Sequence, residues 1–162
     1  MRAPPEVRVE ILQKLMDQIS YESEKGSVIV VEGIRDRNAL QKIGIAGRIL
    51  CLQSSRKNLV GFAEELHDVR YVLVLTDFDR QGVFLAKRLA RQLNAQGIRT
   101  NLVIWRNLRS LTRSDIRSIE ELPRFYRRLQ EESSLFSELS EGGYEVPVLS
   151  NHRKPRRTAT KA

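Results

Sequence analysis

The sequence predicts an α/β fold, with a central parallel sheet of about four strands and helices on both faces. Two observations carry this prediction. Short runs of aliphatic and β-branched residues recur along the chain, and segments with helical spacing of apolar residues alternate with them. Such continuous apolar runs are typical of strands buried on both faces, as in parallel sheets. The length of 162 residues fits one domain.

The first half of the chain contributes three helices and two strands to this prediction. Apolar residues at helical spacing predict a helix over 7–19, and the run VIVV predicts a strand over 28–31. A short helix over 36–43 and a second strand over 48–53 (RILCLQ) follow. The segment 57–67 is predicted to be helical.

The second half begins with the strongest strand signal, YVLVLT at 71–76. A helix rich in Ala, Leu and Arg is predicted over 83–94, and TNLVIW at 100–105 is predicted to be the fourth strand. The segment SDIRSIEELP contains a helical turn. Pro123 opens a last helix that extends to about residue 132, and EGGYEVP ends it.

Composition narrows the class of protein. Hydrophobic residues make up 41% of the chain, which is enough for a core, and the single Cys51 excludes an internal disulfide and a Cys-rich zinc site. No aliphatic run exceeds four residues, whereas a bilayer span needs roughly 20. We expect a soluble, cytoplasmic protein with no membrane attachment.

The charge is unevenly distributed and indicates a polyanionic partner. The chain carries 28 Lys and Arg against 20 acids, for a net charge of +8 and a pI near 10.1. Eight arginines but only three acids lie in 99–128, and the last twelve residues hold five cations and no acid. Arginine suits phosphate groups, and the basic excess favours nucleic acid or an anionic membrane surface without choosing between them; charge that merely aids solubility is the alternative.

Three parts of the chain are expected. Residues 1–26 form an N-terminal helix, and residues 27–146 form the main domain with a C-terminal helical extension. Residues 147–162 form a basic flexible tail, because this segment has little apolar content.

Three carboxylates follow predicted strands. Glu32 comes directly after VIVV, and Asp77 and Asp79 come directly after YVLVLT. Parallel strands that pair in one sheet bring these acids to the same edge, where ligands of open α/β sheets bind. A hard cation such as Mg²⁺ would offset their repulsion. Two plainer alternatives remain: Glu32 is a solvated loop residue, and Asp77 or Asp79 caps the helix after Gly82.

The two segments VIVVEGIRDRNAL and VLVLTDFDRQG together resemble the Toprim family, in which one strand ends in E-G and a later strand ends in D-x-D-x-x-G. The resemblance covers about 27–123 and is closest to small archaeal and ribonuclease M5-like Toprim proteins. It implies a Rossmann-like Toprim fold that binds Mg²⁺, with Mn²⁺ as an alternative. It implies that Asp77 and Asp79 are metal ligands and that Glu32 acts in general acid–base catalysis or as a shared ligand, so all three are candidate catalytic residues.

The sequence also departs from parts of the family pattern. Gln81 and Val83 occupy positions that are acidic in topoisomerases, which argues against a topoisomerase-like metal arrangement. Ile34 stands where M5-like members often carry a basic residue, and Arg35 is a substitute next to it. The segment DIRSIEELP at 115–123 resembles one that follows the last strand in M5-like members.

We therefore expect a Mg²⁺-dependent protein that binds structured RNA, ribosomal RNA included, in preference to DNA, and cleaves a phosphodiester bond. The alternative is a non-catalytic nucleic-acid-binding module that acts within a larger complex. The side chains expected to contact nucleic acid are all basic: Arg106, Arg109 and Arg113, then Arg35, Arg56 and Lys57 as a second rim, and Arg80. The plainer alternative is that several of these arginines pair with Glu120, Glu121 and Glu131.

Overall fold

The computed structural model describes residues 2–142. The predicted basic tail, 147–162, lies outside the described residues. Six helices and four strands make up the described chain, and they follow in this order: α1 (Pro5–Glu24), β1 (Val28–Val31), α2 (Ile34–Lys42), β2 (Ile49–Cys51), α3 (Leu59–Glu65), β3 (Tyr71–Leu75), α4 (Arg80–Ala95), β4 (Arg99–Asn101), α5 (Val103–Thr112) and α6 (Leu122–Glu141). Short 3₁₀ turns at Leu52–Ser54 and Ile119–Glu121 complete the secondary structure.

The four strands form one parallel sheet in the order β2-β1-β3-β4. The α/β prediction with a parallel sheet of four strands is confirmed. In the register of the sheet, Val31 pairs with Leu75 on one side and with Cys51 on the other. Because β1 and β3 are neighbours and run the same way, the residues that follow them meet at one edge.

The sheet is the centre of the hydrophobic core. Every residue of β1 is buried, and so is β3 after its first residue, as the uninterrupted apolar runs predicted. The helices form two groups in which α1 packs on α5 and α6, and α3 packs on α4. The domain therefore buries both faces of its sheet.

The fourth strand is shorter than predicted, and the prediction for 100–105 is wrong over its second half. The chain leaves β4 after Asn101, whose side-chain Oδ1 accepts a hydrogen bond from the Val103 N–H at 2.9 Å and helps to open α5. Ile104, Trp105 and Leu108 then lie buried at helical spacing. The last helix, α6, continues beyond the predicted end near 132 and reaches Glu141.

A partly buried carboxylate joins the N-terminal helix to the C-terminal part of the domain. Asp115 follows α5, and its two oxygens accept hydrogen bonds from Arg8 at 2.6 Å, Arg128 at 2.9 Å and also Arg2. The Arg8 side chain is 6% exposed and stacks over the Phe125 ring. Burial alone would raise the pKa of Asp115, but the hydrogen bonds from Arg2 and Arg8 outweigh it and lower the pKa.

Within residues 2–142, none of the helices combines the length and the apolar character needed to cross a membrane.

Candidate metal and nucleic-acid site

Glu32 and Asp77 meet at the carboxyl edge of the sheet. Glu32 follows β1 and Asp77 comes two residues after the end of β3, and the strand pairing carries both to one place. Glu32 Oε1 accepts a hydrogen bond from the Asp77 backbone N–H at 3.0 Å. The two segments of the sequence motif are thus joined directly, although 45 residues separate them.

Three hydrogen bonds to backbone carbonyls fix the loop that carries the D-x-D segment. The Thr76 hydroxyl donates to the Gly82 carbonyl at 2.8 Å, and Trp105 Nε1 donates to the Thr76 carbonyl at 2.8 Å. The Phe78 N–H donates to the Arg117 carbonyl at 2.7 Å. With three anchors from three parts of the chain, the loop is held before any ligand binds.

The segment 117–121 closes the site from the other side. The Ile119 N–H donates to Asp77 Oδ1 at 3.1 Å, and the Glu120 N–H donates to Asp36 Oδ1 at 3.1 Å. This segment forms the 3₁₀ turn at Ile119–Glu121, where the sequence predicted a helical turn. It supplies backbone donors to the acids of both motifs.

Asp36 belongs to this site and was not among the predicted site residues. It is 6% exposed, and both of its oxygens accept backbone hydrogen bonds, from the Gly33 N–H at 3.0 Å and from the Glu120 N–H. An acid three residues after Gly33 at the start of α2 is a capping pattern that the sequence contained. Since both oxygens are engaged, Asp36 positions the loop after β1.

In each of the three predicted carboxylates only one oxygen accepts a hydrogen bond, whereas in Asp36 both oxygens do. Glu32 Oε1, Asp77 Oδ1 and Asp79 Oδ1 each accept one backbone N–H, and no residue in 2–142 donates to the second oxygen. Asp79 is exposed, so its second oxygen is open to solvent. Among the less exposed residues of 2–142, Glu6 Oε2 is the only buried side-chain oxygen or nitrogen without a hydrogen bond, so the second oxygens of Glu32 and Asp77 are not buried either.

This donor set fits Mg²⁺, which prefers carboxylate oxygens and retains water ligands. Among residues 2–142, no three His, Cys, Asp or Glu side chains are already arranged as a metal-binding group. The suitability of the site for Mg²⁺ therefore rests on the accessible oxygens of Glu32, Asp77 and Asp79 and on the negative charge of these three side chains.

The electrostatics of the site favour a cation. Burial raises the pKa of Asp77 to about 7, and the charges of Asp36, Glu32 and Asp79 add to the rise against the hydrogen bond from Ile119. Burial also raises the pKa of Glu32, with further contributions from Asp79 and Asp36, and burial raises the pKa of Asp36. Four carboxylates thus repel one another in a half-buried place.

Asp79 also caps α4. Its Oδ1 accepts the Gly82 N–H at 2.7 Å, and the helix begins at Arg80, three residues before the predicted start. The capping role left open from the sequence is therefore confirmed for Asp79. Its second oxygen remains available to a ligand, so capping and metal binding are compatible.

We expect two substitutions of Asp79 to separate these roles. Asparagine caps helices as well as aspartate does, so Asp79→Asn should retain the cap, whereas Asp79→Ala should lose about 0.5–2 kcal/mol of stability. Both should shrink the stabilisation by Mg²⁺, because both remove the charge. The measurement is thermal unfolding in EDTA and across a Mg²⁺ titration. If Mg²⁺ stabilises both variants as much as it stabilises the wild-type protein, Asp79 caps α4 and does not bind the metal.

Two of the predicted arginines lie at the carboxylate site. Arg35 lines a cleft of about 500 Å³ whose wall includes Asp36 and Asp77. The Arg109 Nε donates to the Phe78 carbonyl at 3.2 Å, so α5 brings a half-buried guanidinium to the D-x-D loop. Arg35 thus shares a cleft with two of the acids, and Arg109 contacts the residue between Asp77 and Asp79.

Three of the other predicted cations line cavities of their own, and two are exposed. Arg56 and Lys57 line a separate groove beside β2 and α3, where Lys57 pairs with Glu65 at 2.7 Å. Arg113 lines a cavity between α1 and α5, and Arg80 and Arg106 are exposed. The alternative that arginines pair with Glu120, Glu121 and Glu131 is wrong for the part of the chain that the structure describes, since none of these acids forms an ion pair there.

Comparison with known proteins agrees with this geometry. The Toprim domain family matches residues 26–103, which contain β1, β3 and all four carboxylates of the site. A UPF0292 protein of Methanosarcina acetivorans is 33% identical over 129 residues, covering 79% of this chain and 88% of that protein. The chain belongs to the Toprim family.

Further relatives extend the match. A UPF0292 protein of Thermococcus sibiricus is 36% identical over 119 residues, covering 74% of this chain and 90% of that protein. A solved structure of a protein from Aquifex aeolicus superposes with a TM-score of 0.57 at 27% identity, covering 68% of this chain and 96% of the other. The predicted resemblance to small archaeal Toprim proteins is confirmed. Toprim domains typically bind Mg²⁺ and act on nucleic acids.

Proposed function

We propose that this Toprim protein is a Mg²⁺-dependent ribonuclease that cleaves structured RNA in the manner of M5-like Toprim proteins. One observation carries the proposal: acids from the ends of β1 and β3 converge on one edge of the sheet, and each of Glu32, Asp77 and Asp79 keeps one oxygen accessible there. Cations from α2 and α5 lie beside these acids, which suits a phosphodiester substrate.

Each residue has a role in this proposal. Asp77 and Asp79 would hold Mg²⁺ or Mn²⁺, and Glu32 would either share in holding the metal or act on the attacking water. The bound ion would stabilise charge that develops on the scissile phosphate. Glu32 is a candidate general base for the attacking water, because burial raises its pKa and its second oxygen remains accessible. Arg35 would orient the phosphate through its guanidinium fork.

Arg109 lies beside the acids and would bind a phosphate close to the cleavage position. The other basic side chains predicted from the sequence would bind further phosphates of the same RNA: Arg56, Lys57, Arg80, Arg106 and Arg113. Because Arg56 and Lys57 lie in a groove of their own, a folded RNA could reach them and the acids together more readily than a short strand could.

The test is incubation with total RNA and with ribosomal-precursor RNA, in Mg²⁺ or in EDTA, followed by mapping of 5′ ends. We expect new 5′ ends at defined positions in Mg²⁺ only. Glu32→Gln and Asp77→Asn should reduce their formation by about 10²-fold or more, the usual effect of losing a general base or ligand. Glu64→Gln removes an equal charge from an exposed position on α3 and should leave cleavage unchanged.

Two results would contradict the proposal in different ways. RNA that binds in a Mg²⁺-dependent manner but acquires no new ends would assign the protein to the non-catalytic alternative, a binding module within a larger complex. Cleavage that survives in both acid variants would place the chemistry outside this edge of the sheet.

A further inference from the structure

A groove of about 1000 Å³ lies between α2 and α6, beside the carboxylate cleft. Four basic side chains line it, two from each helix: Arg35 and Lys42 from α2, and Arg124 and Arg127 from α6. All four are exposed. Lys42, Arg124 and Arg127 were not among the predicted contacts to nucleic acid, because nothing in the sequence pairs α2 with α6.

Helical spacing explains why these cations face one another. Arg35, Asn38 and Lys42 are spaced by three and four residues and lie on one face of α2; Arg124 and Arg127 share a face of α6 in the same way. The next residue, Arg128, turns to Asp115 and does not line the groove. The groove therefore has a row of positive charge on each wall.

Acids offset only part of this positive charge. Within residues 2–142, none of the four cations forms an ion pair. Two acids, Glu120 and Glu121, line the groove as well, so the four cations still exceed the carboxylates there. Glu121 Oε2 accepts hydrogen bonds from the backbone N–H groups of Arg117 at 2.8 Å and Ser118 at 3.0 Å rather than from the cations of the groove.

The groove adjoins the carboxylate cleft, since Arg35 and Glu120 line both. We propose that the groove between α2 and α6 holds the phosphodiester backbone of the nucleic-acid strand that enters the carboxylate cleft. The inference rests on the proposed function and adds the path of the substrate. Four cations on two facing helices beside a cleft can contact several phosphates of one nucleic-acid strand, whereas one or two of these cations would suffice to bind a single small phosphate.

Salt dependence of binding tests this path. The probes are a short labelled single strand and a labelled hairpin, each made as RNA and as DNA of one sequence, with affinity measured across a salt titration without Mg²⁺. The double variant Arg124→Ala/Arg127→Ala should bind more weakly, and its slope of log affinity against log salt should be flatter by about 0.7 for each single-strand phosphate that is no longer neutralised. The control double variant Lys87→Ala/Arg91→Ala removes equal charge from the exposed surface of α4 and should keep the wild-type slope.

A gain-of-charge variant tests the same groove without loss of any side chain that the fold uses. Asn38 lines the groove and is exposed, so Asn38→Arg should bind more tightly, with a slope steeper by about 0.7. Equal effects on RNA and DNA would indicate contacts to phosphates alone. Effects confined to RNA would add contacts to the 2′-hydroxyl and support the same path.

The two hypotheses fail in distinguishable ways. If wild-type protein binds nucleic acid while the groove double variant and Asn38→Arg both keep the wild-type slope, the groove is not the path and the proposed function stands. If wild-type protein binds none of the four probes, the groove is not the path, and the cleavage assay in Mg²⁺ decides the proposed function separately.

Discussion

A Gly82→Ala variant is expected to melt far below the wild-type protein. A Cβ at residue 82 would lie 2.0 Å from the Asp77 carbonyl oxygen and 2.6 Å from its carbonyl carbon. Both atoms belong to the backbone of the fixed loop, so no side chain can turn aside to make room. We expect a loss of about 3 kcal/mol or more in the free energy of unfolding, at the upper end for overpacking. Thermal and urea unfolding measure it.

Gly44→Ala is the matched control for this substitution. Gly44 adopts a φ of +88°, and a Cβ there would meet no atom within 4 Å. Its replacement should cost only the left-handed backbone penalty of about 1–2 kcal/mol. If Gly82→Ala costs no more than Gly44→Ala, the close approach of Gly82 to Asp77 is not a constraint on the fold. The Gly82→Ala protein that remains folded should also respond less to Mg²⁺, because any relief of the clash displaces Asp77.

An Asp77→Asn variant is expected to melt higher than wild type in EDTA and to gain less from Mg²⁺. Asparagine can still accept the Ile119 N–H through its Oδ1 while it removes the charge that Asp36, Glu32 and Asp79 repel. In wild-type protein, a bound ion would relieve the same repulsion and stabilise the fold by RT ln(1 + [L]/Kd). The measurement is thermal unfolding in EDTA and across a Mg²⁺ titration.

The pH dependence of stability gives this prediction a second readout. The pKa of Asp77 is about 7 in the folded protein against an ordinary 3.8, so the folded state holds a proton that the unfolded chain releases. The metal-free wild-type protein should therefore lose stability as pH rises from about 4 to 7, and regain it as pH falls through this range. Asp77→Asn should flatten this part of the curve. Mg²⁺ should flatten it in wild type.

Glu64→Gln again serves as the control, since it removes an exposed carboxylate remote from the edge of the sheet. It should leave the melting temperature, its pH dependence and the Mg²⁺ response close to those of wild type. The shared metal site is wrong if Asp77→Asn melts below wild type in EDTA and keeps the whole Mg²⁺ response.

The parts of the fold that the sequence predicted are those set by local pattern. The apolar runs of β1 and β3 are short and uninterrupted, which is typical of buried strands and not of helices. The acids that follow these strands meet because β1 and β3 are parallel neighbours. The run TNLVIW at 100–105 was wrongly predicted to be a strand throughout, because over six residues a buried strand and the buried face of a helix have similar apolar sequences. The deciding feature was the Asn101 side chain, whose bond to the Val103 N–H starts α5.

The remainder of the site depends on contacts between distant segments. Glu120 lies 84 residues after Asp36, and Ile119 lies 42 residues after Asp77. Their donors are backbone N–H groups, which every residue but proline carries, so residue type gives no signal. The α2–α6 groove could not be predicted for a similar reason: Lys42 and Arg124 are ordinary surface cations until the fold places them on facing walls.

The bond between Arg8 and Asp115 has a consequence for how the chain folds as it is made. The two residues are 107 positions apart, so the ribosome completes α1 long before the partners of that helix exist. At about 10 residues per second, the delay before α5 and α6 emerge is on the order of ten seconds. During that time the apolar side chains Leu12, Leu15 and Ile19 lack their final cover, while the sheet strands can already pair. The first helix to be synthesised is then among the last to dock, and its apolar face stays open to water until α5 and α6 arrive.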